Sequence, residues 1–298
     1  MKIAVLMSTY NGEKFLDKQL ESIYKQTLID NLELYIRDDG SSDKTFEIIK
    51  NWEDKIKIKL IQGKNLGPAL SFWDLIKNQD IQADYYAFCD QDDIWDNDKL
   101  EVSVNHLQDA CLYACNCRII NSEDKVTNSV AVENCPDFTL PNLFVSGLAQ
   151  GCAMAFTDEL RNYVNSLNIE CISMHDQILS MYAVVFGKVY WDKTPRFSYR
   201  HHSNNVVAVQ KGFNINKIKK KINSWKRDSL KSKEVIAQEL LNNCLGKISD
   251  TDLVYLKWMA HYKSSLVNKY KLCTTSSINQ SEYKSKRSYK IRIILNLF

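Results

Sequence analysis

Tyr85-Tyr86-Ala87-Phe88-Cys89-Asp90-Gln91-Asp92-Asp93-Ile94-Trp95 is an apolar run that opens straight into a cluster of acids. The first five residues read as a buried strand and the next four as the loop at its carboxyl end. Two unit charges about 4 Å apart repel by about 4 kcal/mol at an effective dielectric near 20, so acids that converge on one spot call for a cation between them. Oxygen donors suit a hard divalent ion. Magnesium is usually held by one or two carboxylates together with the phosphates of a substrate, which makes a nucleotide diphosphate the natural co-ligand. An isolated Asp-rich turn is more often a set of local caps. Asp98 reads as such a cap, with Glu101 three residues on completing a capping box.

Working outward, strand and helix signals alternate. Residues 2–9 read as a buried strand, 13–24 as a helix with Phe15, Leu16, Leu20 and Ile23 on one stripe, and 32–36 as a second strand. A helix over 43–52, a strand over 56–61 and a helix over 67–78 lead to the fourth strand at 85–89. This alternation predicts an α/β fold, a doubly wound, mostly parallel sheet with helices on both faces. Ligands bind such sheets outside the carboxyl ends of the strands, where strand order reverses. With strand one between strands two and four, three clusters meet on one rim: Thr9-Tyr10-Asn11-Gly12, Asp38-Asp39-Gly40-Ser41 and Asp90-Gln91-Asp92-Asp93. The glycine-rich dinucleotide fingerprint and the phosphate loop are both missing, so a metal held by aspartates is the remaining obvious grip on phosphate.

At 298 residues and 45% apolar composition, the chain has room for one large domain with an appendage. The net charge of +3 hides a division: residues 211–298 carry 19 Lys and Arg against 6 Asp and Glu, while residues 1–210 carry 20 against 30. That is an acidic body with a basic extension suited to an anionic surface. Residues 214–244, 249–271 and 281–298 read as helices. The last sets Lys284, Lys286, Arg287, Lys290 and Arg292 beside Ile291, Ile293, Ile294, Leu295, Leu297 and Phe298, a pattern suited to lying on an anionic membrane. The competing expectation is a helical layer packed on the body. Residues 3–7 are too short an apolar run for a leader, and no segment approaches the ~20 apolar residues of a membrane span. Nine cysteines, mostly in apolar runs, fit a reducing compartment. Cys111, Cys115 and Cys117 fall with Tyr113 on one strand face, without the paired spacing of a zinc site. The expected location is the cytoplasm, peripheral on the inner face of the cell membrane.

The ordered set of motifs resembles the family 2 glycosyltransferases of the GT-A fold. It comprises Ser8-Thr9-Tyr10-Asn11-Gly12-Glu13-Lys14-Phe15-Leu16, Arg37-Asp38-Asp39-Gly40-Ser41-Ser42-Asp43-Lys44-Thr45, Asn65-Leu66-Gly67, Asp90-Gln91-Asp92-Asp93-Ile94-Trp95, Gly151-Cys152-Ala153-Met154-Ala155-Phe156, His175-Asp176 and Tyr199-Arg200-His201-His202-Ser203-Asn204-Asn205. The acidic hexapeptide and the last stretch are most similar to bacterial rhamnosyltransferase-like members that build surface polysaccharides. The resemblance implies a GT-A domain over residues 1–210, with a nucleotide-sugar half at 1–108, an acceptor half at 109–210 and a basic helical region at 211–298. It also implies a nucleotide-diphosphate sugar donor, a saccharide or lipid-linked acceptor, and Mg2+ or Mn2+.

By the same resemblance, Thr9, Tyr10, Asn11, Glu13, Asp39, Asn65, Asp90 and Gln91 bind the nucleotide, with Asp39 accepting from a base imide. Asp92, Asp90 and His202 hold the metal, Asp92 most directly. Asp93, Trp95, Gly151, Cys152 and His175 line the sugar or acceptor pocket, and Asp176 is the general base of an inverting displacement. Where many members carry Glu before that aspartate, this chain has His175. Two other classes compete. A nucleotidyltransferase would share sheet and metal but resembles its kin through a glycine-rich first turn missing here. A nucleic-acid binder using the basic extension lacks a reader motif, and the acids of the body would repel phosphates, so no nucleic-acid partner is expected.

Overall fold

The computed structural model describes residues 1–202, 232–278 and 283–298. Strands β1 (Ile3–Thr9), β2 (Leu32–Asp38), β3 (Ile58–Gln62) and β4 (Tyr85–Cys89) alternate with helices α1 (Leu16–Tyr24), α2 (Thr45–Trp52) and α3 (Pro68–Lys77). There follow β5 (Ile94–Trp95), α4 (Lys99–His106), β6 (Leu112–Ile120), β7 (Val126–Asn128), α5 (Leu140–Val145), β8 (Met154–Thr157), α6 (Asp158–Asn165), α7 (His175–Phe186) and β9 (Val189–Arg200). The strands form one sheet in the order β3-β2-β1-β4-β8-β6-β9-β5, with β7 on β6. β1 lies between β2 and β4 and is parallel to both, Thr9 opposite Asp38 and Met7 opposite Cys89. The three loops that leave these strands therefore emerge on one rim, as the motif order predicts.

Side chains alternate across the sheet. Val5, Met7, Leu34, Ile36, Ala87 and Cys89 join α1, α2 and α4 on one face, while Ala4, Leu6, Tyr35, Tyr86 and Phe88 join α3 and α7 on the other. Tyr113, Cys115 and Cys117 share the first face as expected, but Cys111 precedes β6 and packs into the opposite core. No disulfide joins any of the nine cysteines. Helix α1 begins three residues later than its apolar stripe suggests, because the Glu13 N–H is drawn to Asp43 Oδ2 (3.0 Å) and residues 12–15 form a turn. The expected capping box at α4 does not form. Asp98 instead meets Arg196 Nη1 at 3.0 Å and Glu101 accepts from Thr27 Oγ1 at 2.8 Å, a charge-assisted partner outcompeting the cap.

Helices α8 (Lys233–Cys244), α9 (Asp250–Met259), α10 (Leu266–Thr274) and α11 (Tyr283–Ile294) make a layer whose buried residues belong to the same core as α5 and α7. The first part of the helix expected over 214–244 lies outside the described residues, as do Ser203, Asn204 and Asn205. Ile293 and Phe298, read from sequence as membrane-facing, are 0% and 2% exposed and pack with Tyr255, Tyr262 and Leu272. Tyr262 Oη donates to the Phe298 carbonyl at 2.7 Å and accepts from its N–H at 3.2 Å. Each such buried aliphatic or aromatic side chain contributes about 1.5–3 kcal/mol, which is why these residues turn inward and leave their neighbours outside. Among the described residues no helix is long and apolar enough to cross a membrane.

Candidate active site

The rim is stitched together by the residues expected to bind nucleotide. The Gln91 amide clasps the loop after β1 to the loop after β4, accepting from the Tyr10 N–H at 2.9 Å and donating to the Tyr10 carbonyl at 3.0 Å. Gly12 leaves room for this clasp, since a Cβ there would stand 2.4 Å from Gln91 Oε1. Asn11, at φ 47°, donates its N–H to Ser41 Oγ and accepts from the Ser42 N–H, both at 2.9 Å. Glu13 accepts from the Lys44 N–H at 3.1 Å. Thr9 Oγ1 donates to Asp38 Oδ1 at 2.9 Å.

Asp39 is the hub of the adjoining loop. Its oxygens accept from Arg37, from the Leu66 N–H at 2.9 and 3.0 Å, and from the Gly67 N–H at 2.8 Å. Thr9 and Asp39 are 0% and 3% exposed, and in this arrangement they hold the loops, Asp39 through backbone N–H groups that would otherwise be unsatisfied. Tyr10, 49% exposed, and Asn65 present their side chains on the open rim.

Four acidic and basic groups gather beyond β4. Asp92 Oδ2 lies 2.7 Å from His202 Nε2, both partly buried. Burial, the charge of Asp92 and the charge of Asp176 push Asp90 up to about 7. Asp93 is fully buried and raised well above the carboxylate range by burial and by its two acidic neighbours; Oδ1 accepts from the Arg200 N–H at 3.1 Å, and Oδ2 has no hydrogen-bond partner among the described residues. One donor atom each of Asp90, Asp93 and Cys152 lies within 4.8 Å of the others.

These residues fit a divalent cation. Acids driven toward protonation by one another, one with an orphaned oxygen, are what a missing counter-charge leaves behind. Carboxylate donors suit Mg2+ or Mn2+. Burial, then Asp93 and Asp90, push the Cys152 thiol well above its usual range, so in the metal-free chain it is a thiol beside the acids. Asp92, Asp90 and His202 are the residues that the family resemblance would place on the ion, with Asp93 and Cys152 close to Asp90.

Two buried cations that sequence reasoning gave no role support this cluster. Arg200, 0% exposed, donates Nε to the Asp92 carbonyl at 2.8 Å, pairs with Asp124 and covers the Phe15 ring. Lys99, 1% exposed, holds Nζ 3.8 Å from the centre of Trp95, and its charge favours ionised Asp90. Arg200 stood inside the quoted motif, whereas Lys99 follows a cap residue and carries no sequence signal of burial. Trp95 is correspondingly 3% exposed, a core residue beneath the cation and not a pocket wall.

Across the rim, Asp176 stands in the first turn of α7. Its Oδ2 accepts from the Gly151 N–H at 3.1 Å and its Oδ1 from the Gln177 N–H at 2.7 Å, so both oxygens are oriented and each keeps a free lone pair. Gly151 is a close approach: a Cβ there would stand 2.5 Å from His175 Nε2. His175 is stacked on Phe72 (4.2 Å) and edge-on to Phe88 (4.8 Å), and burial holds it neutral by lowering its affinity for a proton. The five expected pocket residues, Asp93, Trp95, Gly151, Cys152 and His175, are all buried in this arrangement.

Gly151→Ala is expected to cost about 2 kcal/mol, as overpacking against backbone-held groups does, and to lower turnover by moving the N–H that orients Asp176. Thermal melting and turnover check this against Gly147→Ala, where a Cβ meets nothing nearer than 4.0 Å and neither quantity should change.

Residues 4–153 match the family model of glycosyl transferase family 2. A curated relative, the dTDP-rhamnosyl transferase RfbG of Shigella flexneri, is 29% identical over 81% of this chain and 88% of its own length. The S. aureus TarS 1-349 structure in complex with UDP-GlcNAc superposes with a TM-score of 0.63 at 15% identity, covering 100% of this chain and 80% of that one. The mannosyltransferase PcManGT from Pyrobaculum calidifontis, in complex with GDP-Man and Mn2+, superposes at 0.53 with 15% identity over 98% and 84% of the two chains. The two superpositions bear on fold.

Proposed function

The chain belongs to glycosyl transferase family 2, and on that premise we propose an inverting, metal-dependent glycosyltransferase that moves a sugar from a nucleotide-diphosphate donor to a saccharide or lipid-linked acceptor in bacterial surface polysaccharide synthesis, peripheral on the inner face of the cell membrane. The observation that carries this reading is the convergence on one rim of Asp92, 2.7 Å from His202, of Asp90, with a donor atom within 4.8 Å of Cys152 Sγ, and of Asp176, which accepts from the neighbouring Gly151 N–H at 3.1 Å. Likeness to a dTDP-rhamnosyl transferase favours a rhamnosyl donor. Residues 1–210 serve as the transferase domain, with donor recognition in 1–108 and acceptor recognition in 109–210.

Asp176 is the general base. It takes the proton of the acceptor hydroxyl while that oxygen bonds to the anomeric carbon, and the bond from that carbon to the diphosphate oxygen breaks with its electron pair leaving on the diphosphate. Attack opposite the leaving group inverts configuration. Asp92, Asp90 and His202 would hold a divalent cation, which when bound would neutralise the charge of the diphosphate. Tyr10 and Asn65 meet the nucleoside at the open rim, the Gln91 clasp fixing the loop of the first and Asp39 the loop of the second.

A thermal-shift panel of nucleotide sugars, with and without Mg2+ or Mn2+, tests the reading. A matching donor at a hundredfold excess over Kd stabilises by about 2.7 kcal/mol, a rise of roughly 4 °C for a chain of this size. The rise is expected only with metal; no donor and metal pair giving one would overturn the assignment. The pH dependence has a definite sign. Asp90 holds its proton to about 7 when folded against 3.8 for the free group, so its contribution to metal-free stability is fully present below pH 4 and is lost as pH rises toward 7. Divalent metal should reverse that loss above pH 7.

A further inference from the structure

The helical layer leaves apolar surface uncovered. On α10, Leu266, Val267 and Tyr270 are 83%, 61% and 70% exposed, on the side opposite buried Leu272. On α11 and just beyond it, Ile291, Ile294 and Leu295 are 46%, 61% and 52% exposed, opposite buried Tyr289 and Ile293. The two helices pack against each other. Monomeric soluble proteins rarely expose large apolar side chains together in this way, and where they do the surface generally has an occupant.

Charge identifies the occupant. Helices α10 and α11 together carry seven Lys and Arg and no acid. A second copy seated on the same face would set these like charges against each other, and a polyanion such as nucleic acid would meet the bases but leave the aliphatic stripes in water. An anionic lipid bilayer satisfies both features: acyl chains take the apolar residues and headgroups take the bases. We infer that the outer faces of α10 and α11 form a docking surface for an anionic membrane, through Leu266, Val267, Tyr270, Ile291, Ile294 and Leu295. This deepens the lipid-linked acceptor reading above and rests on it for its purpose, but its test does not depend on catalysis.

The test is flotation of the full chain with vesicles of phosphatidylcholine alone or containing 30% phosphatidylglycerol, at about 0.15 M salt. The chain floats with the anionic vesicles and not with the neutral ones. The pairs Leu266→Asn with Val267→Asn, and Ile291→Asn with Ile294→Asn, are measured separately so that each helix is tested alone. Each pair, checked for an unchanged melting temperature, lowers the bound fraction about tenfold. Lys269→Gln with Lys271→Gln lowers it too and flattens its salt dependence. Absence of flotation, or equal flotation of both apolar pairs and the parent, would overturn the inference while leaving the donor-and-metal thermal shift, and hence the transferase reading, intact. So would light scattering that shows a dimer dissolved by the apolar substitutions, which assigns the face to a second copy.

Discussion

Asp176→Asn is expected to bind the nucleotide-sugar donor as the parent does and to transfer about a thousandfold more slowly. The amide keeps the size of the side chain and retains one oxygen to accept from the Gly151 or Gln177 N–H, so the first turn of α7 stays in place. What it cannot do is receive the hydroxyl proton. General-base catalysis contributes about 10²–10⁴ in rate, and the loss falls on kcat because the base acts only as the new bond forms. Single-turnover transfer measured beside donor binding separates the two. A variant that turns over within tenfold of the parent, with an unchanged donor Kd, would remove Asp176 from the reaction.

The second large effect is expected at Asp92. Asp92→Asn should weaken the metal-dependent part of donor binding by about a hundredfold, equivalent to about 2.7 kcal/mol, and depress kcat/KM by about a thousandfold. The residue is only partly buried and shares a 2.7 Å contact with His202, so its oxygen faces the open rim, whereas Asp93 is sealed beneath. His202→Ala should show the same trend at about a tenth of the size, because the ion would keep two carboxylates. Titration of Mn2+ by electron paramagnetic resonance, with and without donor, reads both. Unaltered titration in Asp92→Asn would place the cation elsewhere.

The sequence and the structure agree best where a pattern repeats. Alternating apolar runs fix β1 to β4 and their helices, and the placement of polar clusters after β1, β2 and β4 follows once the strands are parallel. What a linear pattern does not carry is which way a side chain faces at an irregular turn. Asp92 and Asp93 are adjacent and chemically identical, yet one meets His202 at the rim and the other is buried against the Arg200 backbone. Thr9 and Asp39 are polar residues at a binding rim whose hydrogen bonds are consumed by the loops themselves, which shows only when every N–H nearby is accounted for. Lys99 is harder still. A lysine after a cap reads as surface, and nothing local announces that Trp95 and Phe197 will close over it. The helical layer was half legible: its charge and length were plain, but the division of Ile291, Ile293, Ile294 and Phe298 between core and exterior is decided by Tyr255, Tyr262 and Leu272 far away in the chain.

Gln177, the residue after the general base, ties that helix layer to the chemistry. Its Nε2 donates to the Leu143 carbonyl at 2.5 Å, and its Oε1 receives Lys233 from the start of α8 and Ser173 Oγ at 3.2 Å. One partner of the anchor beside Asp176, Lys233, is thus supplied from outside the half that carries the family motifs. A chimera that grafts residues 1–210 onto a foreign tail would inherit every recognisable signature and still have a loosened base, so engineered exchanges of specificity in this enzyme have to transplant α8 along with the transferase half.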